Sequence, residues 1–184
     1  MQPRPNYKQI FLLAVCLLIL PLQDMSFAAS ITPEEVRATY IIKMRPFFKV
    51  GADNHEITQI CYYEKNGTPA HESVGQIMEK YYTNHTGDGV SLRKYTAIQA
   101  FSDCDLLYIA QSAGNNVENV LAATSASTAL TISATAQFIY KGGMIGFTQD
   151  NANRIKMEAN RSNMKEKNVQ ANPQILEIMS HVVE

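Results

Sequence analysis

Tryptophan is absent from the 184 residues, cysteine occurs three times, and neither sign of charge dominates: 16 Lys and Arg stand against 17 Asp and Glu. A balance so near neutral argues against a nucleic-acid binder, which needs a basic face to meet phosphates. Also missing are the spacings that announce catalysis. There is no Gly-x-Ser-x-Gly elbow, no Ser-x-x-Lys, no His-Glu-x-x-His, and no glycine pattern of Walker or Rossmann type. Cys61 and Cys104 have no second Cys or His two to four residues away, so the zinc-ligand pattern is absent too. No catalytic residue, metal or cofactor is therefore expected, and the chain reads as something other than an enzyme.

What is present begins with a leader. Arg4 and Lys8 precede an unbroken apolar run over residues 10–20, Pro21 breaks it, and Ser26-Phe27-Ala28 supplies small residues before a cut. This is the anatomy of a secretory signal, with cleavage placed between Ala28 and Ala29. The apolar core is about half of the roughly 20 residues a membrane span needs. Cys16 is not expected to carry a lipid, because bulky Val15 precedes it inside the apolar run. The expected organisation is a signal peptide over 1–28 and one α/β domain over 29–184, exported to the periplasm of a Gram-negative cell. The leader holds Arg4, Lys8 and Asp24, so the domain keeps 14 basic and 16 acidic residues. No later run is apolar enough for stable membrane insertion. Two cysteines, Cys61 and Cys104, remain after cleavage, and an oxidising compartment favours their pairing over two buried thiols.

Thr32-Pro33-Glu34-Glu35 opens a helix, with Thr32 as cap and Glu35 completing a capping box. Val36, Tyr40, Ile41, Met44 and Phe48 continue it at helical spacing, and Pro46 distorts or ends it. Residues 57–63 read as a strand carrying Cys61. Thr68-Pro69 leads to a second helix, with an apolar stripe at Val74, Ile77, Met78, Tyr81 and Tyr82. Strands are expected over 92–100, 104–110 and 129–133, the middle one a short apolar run of the kind buried in parallel sheets. Gly114-Asn115-Asn116 opens a helix through Val117, Val120 and Leu121, and residues 134–140 form a short helix or turn. Gly142-Gly143 leads into residues 144–148, and then Ile155, Met157 and Ala159 alternate with Arg154, Lys156 and Glu158, which marks an antiparallel hairpin at a sheet edge. After a polar stretch over 161–171, Asn172-Pro173 opens a last helix with a stripe at Ile175, Leu176, Met179, Val182 and Val183. Strands alternating with helices give the fold class: α/β, a three-layer sandwich with a mostly parallel sheet and an antiparallel hairpin at one edge. The histidines, His55, His71, His85 and His181, lie in polar contexts with no paired motif.

Several segments in order resemble one family. They are Met44-Arg45-Pro46-Phe47-Phe48 ending the first helix, Ile60-Cys61, Cys104-Asp105-Leu106-Leu107-Tyr108-Ile109, and Ala129-Leu130-Thr131-Ile132-Ser133. Next come Gly142-Gly143-Met144-Ile145-Gly146-Phe147 and Arg154-Ile155-Lys156-Met157-Glu158-Ala159-Asn160. The order is similar to the YfiR family of small periplasmic α/β proteins. That resemblance implies a regulator without a reaction of its own, which binds the periplasmic domain of a membrane diguanylate cyclase of the YfiN kind, represses it and keeps cyclic di-GMP low. It implies a homodimer and a strand-to-strand disulfide at Cys61–Cys104. The expected partner surface lies at Met144, Phe147, Arg154, Lys156 and Glu158. Where some relatives carry a second cysteine pair, this chain has Phe138 and Ile145, and the Trp-Pro that often ends the first helix is missing. The alternative reading is a periplasmic small-ligand-binding accessory protein of a transporter or sensor kinase, with a pocket built from Arg154, Glu158 and a neighbouring loop.

Overall fold

A computed structural model describes residues 31–85, 87 and 89–184. The leader and the Ala28–Ala29 cleavage site lie outside the described residues, and all that follows concerns the compact unit Ile31–Glu184.

The first helix, α1 (Pro33–Met44), starts as its capping box dictates. Thr32 Oγ1 accepts from the Glu35 amide at 3.1 Å, and a Glu35 carboxylate oxygen accepts from the Thr32 amide at 2.8 Å. Pro46 tightens the chain into a 3-10 turn, Arg45–Phe47, so Phe48 leaves the helix and begins β1 (Phe48–Val50) instead of extending the stripe. β2 (His55–Glu56) and β3 (Gln59–Tyr63) follow. α2 (Val74–Asn84) is capped by Ser73, because Thr68-Pro69 is followed by a separate 3-10 turn, Ala70–Glu72. β4 (Ser91–Tyr95) stops well short of the expected residue 100. β5 (Leu106–Ile109), α3 (Val117–Ala123) and β6 (Leu130–Ser133) continue the alternation. β7 (Ile145–Gln149) and β8 (Ile155–Asn160) form the antiparallel hairpin.

The last 24 residues depart most from the sequence reading. The polar stretch holds a helix, α4 (Arg161–Glu166), capped by the Asn160 side chain, and a short strand, β9 (Gln170–Ala171). The last helix, α5 (Pro173–Glu177), ends after five residues. Val182 and Val183 are therefore strand residues in β10 (His181–Val183), not part of a helical stripe. Both the amide and the hydroxyl of Ser180 donate to the Met157 carbonyl and steer the chain into register beside β8. Two adjacent β-branched valines suit that strand better than a helix.

Seven strands make the main sheet in the order β10-β8-β7-β6-β5-β3-β4, parallel except between β7 and β8. A smaller antiparallel sheet, β2-β1-β9, stands beside it. The hairpin lies toward one end of the main sheet, and β10 adds outside it as the last strand. Within the strands, alternate residues serve opposite faces. Ile60, Tyr62, Leu106, Tyr108, Leu130, Ile132, Ile145 and Phe147 pack with Ala38 and Ile41 of α1 and Val74 and Met78 of α2. Cys61, Tyr63, Leu107 and Ile109 face the other way, onto Phe101, Ala113 and Val117 and Val120 of α3. Burial of both faces explains why the central strands read as unbroken apolar runs. Gly75 lets α2 close on the sheet: a Cβ there would sit 2.2 Å from the Tyr62 ring.

Candidate functional site

Cys61, midway along β3, and Cys104, just before β5, form a disulfide with Cα atoms 5.7 Å apart. It links neighbouring strands on the α3 face, where both residues are buried. Phe101 shields it, edge-on to Tyr95 with ring centres 5.1 Å apart and to Tyr63 at 6.4 Å. The Tyr95 hydroxyl donates to Asp103 at 2.9 Å, and Arg93 pairs with the same carboxylate. Cys61, Asp103 and Cys104 are the one group of potential metal ligands clustered among the described residues. Their sulfurs are bonded to each other, so neither is available as a thiolate ligand or nucleophile.

The hairpin residues divide by strand parity. Phe147 pairs with Met157 and faces the α1 side, and Met144 packs on the same core. Each is only 3 % exposed, so the expectation that they form a partner surface is corrected: both side chains belong to the core. Lys156 and Glu158 alternate to the opposite face, half-exposed, opposite Thr148 and Gly146. Arg154 is exposed and committed to the turn, its Nε donating to Asp150 at 2.8 Å. Asp150 also accepts from the amides of Ala152 and Arg154, and these contacts hold its carboxyl below the usual range, the Arg154 amide being the main cause. Asp150 thus ties down the turn. Arg154 lines an open groove at the start of α1 with Val36, Tyr40 and Gln149, and Glu158 is not part of it. Across β8, His181 stands level with Glu158 and meets the hydroxyl of Tyr140 at 2.9 Å. Tyr140 is 63 % exposed.

The remaining histidines do not converge. His71 pairs with adjacent Glu72, and His85 stacks on Tyr81. His55 bridges Asp53, 2.7 Å from Nδ1, and Asp105, 3.0 Å from Nε2. Hydrogen bonds to Asp53 and then Asp105 raise its pKa. Burial opposes ionisation of Asp105, but the amides of Gln59 and Thr58, with His55, outweigh it and hold its carboxyl below the ordinary value. This cluster fastens the β2–β3 connection to the start of β5.

Further concave regions lie elsewhere on the domain. A cleft of about 630 Å³ lies between the turn at Gly51 and Ala52 and the α4–β9 segment, with Arg161, Lys165 and Glu184 on its walls. A smaller crevice of about 290 Å³ lies at the C-terminal ends of β3 and β5, walled by Arg37, Tyr108, Gln111, Ser112, Glu34 and Glu72. Sequence reasoning passed over Arg37, although a signal was there. It precedes Ile41 by four residues and Met44 by seven, so a charged residue occupies the buried stripe of α1.

The fold is a doubly wound, mostly parallel sheet with a disulfide on one face, a half-exposed hairpin toward one end and a crevice at the strand ends. The profile of the YfiR/HmsC-like family matches residues 34–179, and the chain belongs to that family. This is a regulatory rather than a catalytic family, periplasmic and tied to diguanylate cyclase systems. No helix among the described residues is long and apolar enough to cross a membrane. No curated protein matches the chain in sequence. Among solved structures, a conserved domain protein from Vibrio cholerae O1 biovar El Tor aligns with a TM-score of 0.62 at 10 % identity, over 82 % of this chain and 60 % of that one. The ABC domain in complex with L-Trp from Streptococcus pneumoniae aligns at 0.56 and 12 % identity, over 82 % and 62 %. CD0873, a substrate binding protein with adhesive properties from Clostridium difficile, aligns at 0.53 and 10 %, over 79 % and 58 %. The chain spans about 60 % of the length of these structures, and at such identity the likeness is one of fold.

Proposed function

We propose that this protein, as a homodimer in the periplasm, binds the periplasmic domain of a membrane diguanylate cyclase of the YfiN kind and represses it. Such a regulator does its work by binding the inactive arrangement of its partner more tightly than the active one, and needs no chemistry. Membership of the YfiR/HmsC-like family is the observation that carries this reading. The face of β7, β8 and β10 that bears Lys156, Glu158 and His181, with exposed Tyr140 beside it, supplies the interface. Its mixture of an amphipathic aromatic and both signs of charge suits a polar, reversible contact.

The reading is tested by cellular cyclic di-GMP with the gene intact, deleted and restored. Deletion raises the level and the wild-type gene returns it, whereas no change in a cell that expresses the cyclase refutes repression. The interface is tested separately with the purified cyclase domain and K156E/E158K. Both side chains are half-exposed, so the fold tolerates the exchange, and affinity for the domain falls tenfold or more. Unchanged affinity moves the interface elsewhere.

A further inference from the structure

The crevice beside Arg37 lies where an open α/β sheet receives ligands. From β3 the chain first builds outward to β4, then returns to lay β5 on the other side of β3 and continues to β6 and β7. That reversal leaves the loops after β3 and β5 diverging at their C-terminal ends, and in sheets of this topology the gap between them is the usual ligand position. Thr68 and Glu72 come from the segment after β3, and Ala110, Gln111 and Ser112 from the segment after β5. All line the crevice, with Tyr108 in its wall.

Arg37 gives the crevice a chemical preference. Its side chain is only 8 % exposed, and Nη1 donates to Glu34 at 2.8 Å and more weakly to Gln111 at 3.4 Å. Nε is buried without an acceptor among the described residues. A buried guanidinium donor left unpaired is costly, and an acceptor supplied by a ligand removes that cost. Arg45 Nε also lacks a partner, but Arg45 lies outside the crevice. A carboxylate is the group whose two oxygens match the guanidinium edge. Glu34 pairs with the guanidinium and Glu72, itself paired with His71, adds a second carboxylate to the crevice wall, which disfavours multiply charged anions. The Thr68 hydroxyl donates to the Lys65 carbonyl and the Gln111 amide to the Ala134 carbonyl, which leaves the Thr68 oxygen as an acceptor, the second Gln111 amide hydrogen as a donor and the Ser112 hydroxyl for whatever the carboxylate carries.

We propose that this crevice binds a small monocarboxylate, its carboxylate held by Arg37 and its substituents by Thr68, Gln111 and Ser112. The site is independent of the cyclase interface, which lies on the hairpin at the other end of the sheet order. The test is a titration of the whole mature protein with sodium acetate and sodium lactate, read from the ¹⁵N–¹H correlation of the Arg37 Nε–H group. R37K assigns that signal by removing it, and keeps a cation beside Glu34. The Nε–H signal shifts saturably with either carboxylate and not with sodium chloride at equal ionic strength. In R37K the half-saturation concentration, read from the amides of Gln111 and Ser112, rises at least tenfold. No saturable shift of the wild-type signal by 100 mM of either probe overturns the proposal. So does a response to inorganic phosphate with the carboxylates silent, or equal half-saturation in R37K. The wild-type titration decides the matter even if R37K folds poorly.

Discussion

Reducing the Cys61–Cys104 bond is the perturbation whose size follows most directly from the structure. The bond joins residues 43 apart in sequence, and the loop it closes contains α2 and β4. Opening a loop of that length restores denatured-state entropy equivalent to about 4 kcal/mol at 25 °C in the chain-entropy treatment. For a domain of this size that corresponds to a fall in Tm of roughly 8–16 °C. Alanine, not serine, should replace the cysteines in the comparison variant, because a hydroxyl at buried Cys61 would add an unsatisfied polar group. Urea unfolding of oxidised protein, of protein kept reduced, and of C61A/C104A gives three free energies and three m-values. The reduced protein loses about 4 kcal/mol, with a larger m-value as the unlinked denatured chain expands. The double variant loses somewhat more, because two buried sulfurs are removed from the cluster around Phe101. A loss below about 1 kcal/mol on reduction would refute the entropic reasoning. It would mean that the denatured chain already holds β3 near β5 without the bond.

Three further outcomes are expected. G143A loses about 1–3 kcal/mol by urea unfolding, since the added methyl falls 2.2 Å from the buried Phe138 ring, while G142N, at a left-handed position with open space around it, loses far less. T32A removes one half of the capping box and costs about 1 kcal/mol, read as a Tm lower by roughly 2–4 °C. The third concerns pH: His55 has a raised pKa in the fold, so its contribution is complete below the unfolded value of about 6.5 and is lost as pH rises through the higher folded value. Asp53 and Asp105 have lowered pKa values, so theirs is complete above about 3.9 and is lost on acidification. The cluster therefore supports the fold most between those limits, and H55Q flattens the alkaline limb of a Tm–pH curve; an unchanged limb in H55Q rules the assignment out.

The parts of this fold that the sequence made legible are those where one physical requirement acts alone. Residues 106–109 and 130–133 are buried on both faces, so their apolar runs announce parallel strands. The capping box at Thr32 and Glu35 involves four consecutive residues and no tertiary contact. Reading failed where a distant partner decides. The last valines are helical in spacing and become a strand because β8 offers a free edge and Ser180 bonds to Met157. Phe147 could have been placed correctly. The alternation that buries Ile155, Met157 and Ala159 also fixes their hairpin partners, and the register sets Phe147 opposite Met157. Arg37 was legible only as an oddity in a stripe, since nothing local shows that α1 lays it across the ends of β3 and β5.

Whether the disulfide is a staple or a switch depends on what β3 can transmit. Four residue pairs between Ile60 and Tyr63 on β3 and Leu106 and Ile109 on β5 hold the two strands together without the sulfurs. The bond sits beside Phe101 on the α3 face, while the Arg37 crevice opens at the far, C-terminal end of those strands. The hairpin is separated from β5 by β6. Losing the bond lowers the stability of the whole domain, and its link toward the hairpin is the apolar packing it shares with Phe138, which does not require the sulfurs to be joined. A staple is therefore the expected role. Reduced protein, held at least 15 °C below its own lowered Tm, should bind the cyclase domain within twofold of the oxidised affinity. Affinity lost tenfold under those conditions, with the fold intact by circular dichroism, would show a second arrangement of β3 and β5 that the bond holds back, and the disulfide would then be a redox switch.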